Sequence, residues 1–280
     1  MLVPAAIPIA HAVADTLLTP GRAAILGAVQ GLTEFLPVSS SAHLYAIPGL
    51  LGWRYEGLAF DVALHWGTLL ALLAAFWRDW LELARDALAG AGARRGQARG
   101  TLLRLAVASV PGTVAGLALQ DLAESKLRSL PLQAVMLVGF GFLLWFVDRA
   151  RRGGRAESAP GWGVSLSVGL AQALALVPGV SRSGVTMTAG RAAGLDRVSA
   201  ARFSFLLATP ITFGAGLVEL RRLPHGLPAA TLAIGVVTSA VVGLLAIRGL
   251  IRWLSRAGFG VFFAYRVALA AVIVLSRSHR

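Results

Sequence analysis

The feature that most constrains the fold is the separation of charged residues from apolar sequence. Charged residues make up 14% of the 280-residue chain and hydrophobic residues 56%, whereas soluble domains carry about 25% charged residues. The charges gather in short clusters, and the stretches between them are almost uncharged. This pattern predicts an all-α polytopic membrane protein that forms a single integral membrane domain over residues 1–280.

Six apolar segments are long enough to cross a bilayer as helices. Each offers roughly 17–25 largely apolar residues, the length that the hydrocarbon core requires. The arginine clusters between them are typical of loops in a membrane protein. The six predicted spans are Leu58–Trp77, Thr101–Gln120, Pro131–Val147, Phe203–Glu219, Pro228–Leu250 and Gly258–Leu275.

Two further apolar segments are interrupted by polar residues. Ala23–Leu36 ends at a proline and a run of serines, and the short apolar piece His43–Leu51 follows. In the same way, a Pro-Gly pair and a Ser-Arg-Ser run separate Val164–Val177 from Val185–Leu195. Because neither half is long enough to cross a bilayer alone, each segment is predicted to be a re-entrant, broken helix.

The two interrupted segments resemble each other at a fixed offset of 142 residues. Gln30 and Ser39 recur as Gln172 and Ser181, and four further positions match. We interpret this as an internal duplication with halves at roughly 20–147 and 160–275. Each half then crosses the membrane three times, so the halves are expected to be inverted repeats. Paired broken segments of this kind point to a binding site near the bilayer midplane.

The net charge of +13 fits membrane topology better than nucleic-acid binding. Lys126 is the only lysine among 26 basic residues, and no basic segment is interleaved with aromatic residues, so no nucleic-acid partner is expected. With six spans, loops 78–100, 148–160 and 248–256 share one side and hold twelve arginines, and the positive-inside rule places them in the cytoplasm. The six basic residues on the other side are Lys126, Arg128, Arg221, Arg222, Arg277 and Arg280.

The first interruption brings an acid, an amide and several hydroxyls together. Glu34 follows Gln30 by four residues, which places both side chains on one helix face and suits a hard divalent cation. Serines at the start of the next half-helix cap it, bind phosphate or attack phosphate. The alternative is structural, with Glu34 paired to an arginine and the serines acting as caps. The candidate site residues here are Gln30, Glu34, Ser39, Ser40 and His43.

The second interruption indicates an anion site. Glycine allows the backbone to approach a ligand closely, and Arg182 offers a planar fork that matches phosphate oxygens. The alternative is that Arg182 only pairs with Glu34, although a resting ion pair that opens for substrate satisfies both interpretations. His65 lies in a full span and is interpreted as a packing histidine. The candidate binding residues beside Arg182 are Gly179, Ser181, Ser183 and Thr186.

Both motifs resemble those of the undecaprenyl-diphosphate phosphatase (bacitracin-resistance, BacA-type) family. The stretch from Gln30 to His43 is similar to the family's Glu/Gln-x-x-x-Glu signature, and residues 178–186 are similar to its Pro-Gly-x-Ser-Arg-Ser-x-x-Thr signature. The resemblance covers nearly the whole chain. It implies a hydrolase of the bacterial inner membrane that removes the terminal phosphate of a C55 polyprenyl diphosphate. The site is then expected to face outward between the two re-entrant regions.

The resemblance also implies a role for each matching residue. Glu34 and Gln30 are expected to hold a divalent cation, Mg²⁺ or Ca²⁺, and Arg182 to clamp phosphate. The nucleophile is Ser40, His43 or a water activated by Glu34. Many members carry glutamate at the position of Gln30, so one possible metal charge is missing here. The expected partners are the lipid substrate and the bilayer, and a homodimer is left open. The residues expected to bind substrate are Gln30, Ser39, Gly179, Ser181, Ser183 and Thr186.

A transporter is the competing interpretation. Inverted repeats with broken helices are a transporter architecture, so the chain could instead flip a polyprenyl phosphate without hydrolysing it. An acid, serines, a histidine and an arginine at the breaks form a richer set than binding requires. The presence of these reactive side chains favours an enzyme over a transporter.

Overall fold

The computed structural model describes residues 18–125, 127, 129–151, 153–219 and 228–278. Within these ranges the chain is helical and has no β-strand, which confirms the predicted all-α polytopic class. The described helices are α1 (Pro20–Phe35), α2 (Ser40–Leu50), α3 (Leu58–Ala75), α4 (Trp77–Ala89), α5 (Gly92–Ser125), α6 (Leu130–Ala150), α7 (Trp162–Ala173), α8 (Arg182–Ala192), α9 (Arg197–Glu219), α10 (Ala229–Leu254) and α11 (Gly260–Ser278). The basic residues of the topology argument that lie outside this description are Lys126, Arg128, Arg152, Arg221, Arg222 and Arg280, together with the side chain of Arg277.

Helices occupy all six predicted spans. In the described ranges, four of them (α5, α6, α9 and α10) are long and apolar enough to cross a membrane by themselves. Helix α3 bends by 67° into α4, and α11 is a shorter apolar helix of 19 residues.

The loop expected at 78–100 is instead mostly helical. Its first part is α4, and its last part is the beginning of α5. Apolar residues in α4 recur at the spacing of a helix face, for example at Trp77, Trp80, Leu81 and Leu88, with charged residues between them. This amphipathic pattern, which the apolar-block interpretation overlooked, accounts for the helix.

Both interrupted segments break where the sequence predicts, and they break in the same way. Helices α2 and α8 each have 11 residues and begin at positions 142 residues apart. The residue before each helix, Ser39 or Ser181, has a φ of 73° or 72°, in the left-handed region that residues other than glycine rarely adopt. The repeated sequence therefore produces a repeated backbone.

Each interrupted segment packs on a long helix from the other half of the chain. Helix α1 lies on α10, and α7 lies on α5. Glycines at equivalent positions permit this approach. A Cβ at Gly27 would lie 2.3 Å from the carbonyl oxygen of Gly235, and a Cβ at Gly169 would lie 2.4 Å from that of Ala108. The division into inverted halves at 20–147 and 160–275 stays a prediction.

Ion pairs gather the arginine-rich loops at one end of the molecule. Asp148, near the end of α6, accepts a hydrogen bond from Arg197 at 2.8 Å and from the backbone N–H of Phe259 at 3.5 Å. Arg202, in α9, pairs with Asp79 at the start of α4. The first two loops assigned to the cytoplasm are therefore both tied to the start of α9, and the segment that follows the third loop contacts Asp148.

Replacing Gly169 by alanine should destabilise the protein, because the added Cβ collides with the backbone of α5. Overpacking of this kind costs about 1–3 kcal/mol. The thermal unfolding midpoint of the detergent-purified protein should fall. Gly139→Ala in α6 is the control, since no heavy atom lies within 4 Å of its added Cβ and alanine favours helix. Equal midpoints for the two variants would contradict the close approach of α7 to α5.

Candidate active site

A cavity of about 540 Å³ lies between the two interruptions. One wall is polar and comes mainly from α1, the start of α2, α3 and the start of α8. The other wall comes largely from α5 and α9 and is mostly apolar or glycine, apart from Thr113 and Thr212. A cavity with these two walls suits a ligand with a charged head and an apolar tail. The polar wall includes Glu34, Ser39, Ser40, Ser41, His65, Ser181 and Arg182.

Glu34 is the centre of the polar wall. Its Oε1 accepts a hydrogen bond from Arg182. Its Oε2 accepts one from Ser40 Oγ at 2.5 Å and one from Gln30 Nε2 at 3.1 Å. The carboxylate therefore touches both interruptions at once. A buried carboxylate in apolar surroundings needs this compensation, because an unpaired charge there is costly.

Arg182 bridges the second interruption and α9. Besides its ion pair with Glu34, its guanidinium donates to Thr212 Oγ1 at 2.8 Å and to the carbonyl oxygen of Ala208 at 3.3 Å. It also lines the cavity. The ion pair that the structural alternative expects is thus present, and the same side chain remains within reach of a ligand.

Matched serine pairs occupy the two breaks. The Oγ atoms of Ser39 and Ser41 are 3.2 Å apart, and those of Ser181 and Ser183 are 3.3 Å apart. Ser181 also caps α8, because its Oγ accepts the N–H of Gly184 at 3.2 Å. Of these four, Ser183 does not line the cavity. Ser39, Ser41 and Ser181 line the cavity.

Gln30 does not line the cavity, and three more of the residues expected to bind substrate lie behind its wall. Ser183 donates to the carbonyl oxygen of Leu36 at 3.2 Å and so ties the two breaks together. The Oγ1 of Thr186 is 2.6 Å from the Oγ of Ser204 in α9, and the Thr186 side chain is fully buried. Gly179 has a φ of 95° and packs on α6. Their contacts are structural, and the cavity is lined without them.

The structure does not bring His43 to the cavity. Its Nδ1 is 2.7 Å from the carbonyl oxygen of Ser39, and its Nε2 is 2.7 Å from the Tyr265 hydroxyl. Both ring nitrogens are therefore engaged, and the side chain is buried. This position suits a residue that holds the first break in place rather than one that attacks a substrate.

His65 is placed differently from what the sequence suggests. Instead of packing in a span, it lines the cavity, and its Nε2 lies 3.5 Å from Glu34 Oε2. Its Nδ1 is 2.7 Å from the carbonyl oxygen of Asp61. The ring therefore belongs to the polar wall. From the sequence alone, a single histidine in an apolar span gives little indication that its ring faces a cavity.

Arg266 of α11 is a residue that the sequence reasoning missed. It is fully buried, and its guanidinium donates to the carbonyl oxygens of Pro37 at 2.7 Å and Val180 at 2.9 Å. One side chain thus binds the backbone of both interruptions. Among the described residues, no carboxylate lies within salt-bridge distance of it. A lone arginine in the middle of the last apolar segment was the available signal, since such charges rarely lack a function.

The donor set fits a divalent cation that is shared with a substrate. Within the described ranges, no group of three or more histidine or acidic side chains could hold a metal alone. However, the Oε1 of Gln30 is buried and has no hydrogen-bond partner, next to Glu34. Magnesium commonly uses one or two protein oxygens together with phosphate oxygens. Gln30 and Glu34 can supply such a partial ligand set.

Comparison with known sequences now identifies the chain. Residues 23–272 match the family model described as bacitracin resistance protein BacA. The chain belongs to this family. An undecaprenyl-diphosphatase of Desulforudis audaxviator is 48% identical over 92% of this chain and 98% of its own length. Proteins of the same name from Gemmatimonas aurantiaca and Pelotomaculum thermopropionicum are 49% and 46% identical over 94% of this chain, and over 100% and 99% of their own lengths.

Replacing Arg266 by lysine should impair both stability and activity. A single ammonium keeps the charge but cannot reach both break carbonyls, so at least one buried acceptor loses its partner, at about 1–3 kcal/mol. Thermal unfolding and phosphate release from a polyprenyl diphosphate measure the two effects. Arg256→Lys, at an exposed position, is the control. Wild-type values for Arg266→Lys would show that the two breaks do not depend on this residue.

Proposed function

We propose that this chain hydrolyses undecaprenyl diphosphate to the monophosphate lipid carrier and inorganic phosphate. The observation that carries the proposal is the contact of Ser40 with Glu34 at 2.5 Å, in a cavity where Arg182 offers its guanidinium. The relatives' names support hydrolysis and give no support to transport without it. The product would supply the carrier for cell-wall polymer synthesis, and removal of its diphosphate form fits the family's link with bacitracin resistance.

Ser40 is the nucleophile that the geometry favours. Ser40 is the first residue of α2 and lines the cavity. Its hydroxyl donates to Glu34, which is placed to take the proton. As Ser40 Oγ bonds to the terminal phosphorus, the bond from that phosphorus to the bridging oxygen breaks and the lipid monophosphate leaves. A water then releases the phosphate from the serine. A water held by Glu34 that attacks directly is the second route.

The positive groups around the cavity stabilise the charge of the reacting phosphate. Arg182 presents a planar donor fork, and the first N–H groups of α2 and α8 have no partners within their helices. Both helices begin at the cavity, so their positive ends meet at the same place. These donors are fixed before the substrate arrives, which is the condition for electrostatic catalysis.

A divalent cation, Mg²⁺ or Ca²⁺, is the proposed cofactor. Gln30 Oε1 and Glu34 would hold it, and it would neutralise negative charge on the diphosphate when bound. The unpartnered Gln30 oxygen supports this assignment. The amide in place of a carboxylate leaves the cation more dependent on the substrate's own oxygens.

The proposed location is the bacterial inner membrane, with the cavity open to the outer side. Helix α8 supports this orientation: Arg182 at its start lies in the cavity, whereas Arg191 near its end pairs with Asp148 at the arginine-rich end. The positive-inside rule places that end in the cytoplasm, and the cavity lies away from it. A homodimer and the lack of a nucleic-acid partner stay predictions.

Ser40→Ala should lower kcat for phosphate release by roughly 10³-fold or more, because the attacking oxygen is removed. Release of inorganic phosphate from farnesyl or undecaprenyl diphosphate by the purified protein measures it. Ser167→Ala, at an exposed position of α7, is the control. Trapping of phosphate on Ser40 would separate the serine route from the water route. Full activity in Ser40→Ala would refute the serine as nucleophile.

Chelation of divalent cations should abolish phosphate release, and added Mg²⁺ or Ca²⁺ should restore it. Gln30→Glu should then reach half-maximal activity at a several-fold lower cation concentration, because a second carboxylate raises the affinity of an oxygen site. Titrating the cation against phosphate release for wild type and variant measures the shift. An unchanged titration curve would remove Gln30 from the cation site.

A further inference from the structure

Gln172 is a buried amide for which the protein supplies no partner. Its side chain is 4% exposed, and neither Nε2 nor Oε1 has a hydrogen-bond partner in the described structure. An amide left this way in an apolar interior is costly. Gln172 lies in the wall of the same cavity as Arg182 and Ser40. The amide is therefore unused by the fold and adjacent to the ligand space.

The internal repeat explains why this amide is unpartnered. Gln172 is the counterpart of Gln30, whose Nε2 donates to Glu34 one turn further along the helix. At the position equivalent to Glu34 the second half has Leu176, which cannot accept a hydrogen bond. At the same offset, Ser40 of the first half corresponds in sequence to Arg182 of the second half. The first half thus carries the acid and the hydroxyl, whereas the second half carries a cation and an unpartnered amide.

The position of Gln172 along the cavity assigns it to one part of the ligand. The transferred phosphate must lie against Ser40 and Arg182. Gln172 lies in the wall beside Gly112 of α5, and Ala173, Ala175 and Leu176 follow it in the lining. A Cβ at Gly112 would lie 3.4 Å from Gln172 Nε2, so the glycine leaves room beside the amide. Gln172 is therefore on the side toward which the lipid tail must run.

Resting on the proposed function, we propose that Gln172 binds the phosphate that stays attached to the lipid, donating its amide N–H to an oxygen of that phosphate. The amide belongs to the second half of the repeat, which holds the substrate while the first half carries out the attack. Gln172 thereby becomes a substrate-binding residue for the diphosphate and for the monophosphate product. Inorganic phosphate, which has no lipid-linked phosphate, does not use it.

The test compares Gln172→Leu and Gln172→Met with wild type, using the full detergent-purified chain, saturating Mg²⁺ and farnesyl diphosphate. We expect KM to rise about tenfold, the effect of one hydrogen bond to a charged group, with kcat within about twofold. Inhibition by farnesyl monophosphate should weaken by a similar factor, whereas inhibition by inorganic phosphate should stay unchanged. Ser167→Val, the same change of a polar to an apolar residue on the exposed face of α7, should match wild type.

Each other result overturns the assignment. Unchanged KM and unchanged inhibition by farnesyl monophosphate in either folded variant would mean that the amide is merely hydrated. A loss of kcat without a rise in KM would make Gln172 a residue of the chemical step instead. Two variants are used so that a folding failure of one leaves the other to decide. If the wild type itself releases no phosphate, the proposed function fails, a result distinct from failure of the Gln172 assignment.

Discussion

The buried guanidinium of Arg266 is the constraint on which the rest of the site depends. A helix that breaks inside a membrane leaves carbonyl and N–H groups that lipid cannot satisfy. Here two such breaks lie together, and Arg266 donates to the carbonyl oxygens of Pro37 and Val180, one in each. Glycine at position 184 leaves the room that this side chain needs, since a Cβ there would lie 2.9 Å from the guanidinium. The breaks can face each other because this cation holds their backbones.

Given two breaks of the same backbone geometry, chemistry enters through the positions at which the two halves differ. Ser39 and Ser181 share the same unusual φ, so α2 and α8 start in equivalent ways. The first residue of α2 is Ser40, whereas the first residue of α8 is Arg182. A symmetric frame thereby presents a hydroxyl from one side and a guanidinium from the other, with Glu34 in contact with both. The repeated break therefore carries an acid–hydroxyl pair in its first copy and an arginine in its second.

Sequence patterns predicted this frame well because the apolar blocks and the repeat offset report directly on the backbone. The six spans and both interruptions follow from lengths and spacings, and the contact between Glu34 and Arg182 is one of the two interpretations that the sequence left open. The positions of His43, His65 and Gln172 do not. Whether a polar side chain on a packed helix faces a cavity or a neighbouring helix depends on the rotation of that helix against its partners, which apolar blocks and repeat spacing do not specify. Arg266 could have been found, because a lone charge in an apolar span requires an explanation.

The charge balance of the site explains why an amide at position 30 is compatible with the proposed function. Glu34 and Arg182 compensate each other, while Arg266 is paired only with carbonyl oxygens. The resting site therefore has one more cation than anions. A second carboxylate at position 30 would cancel this excess and make the site rely more on a bound metal ion. With Gln30, the excess positive charge would favour a diphosphate, and the proposed cation would take part of its ligand set from the substrate's oxygens. The amide at position 30 is therefore compatible with the proposed cation site as long as the substrate's oxygens complete the ligand set.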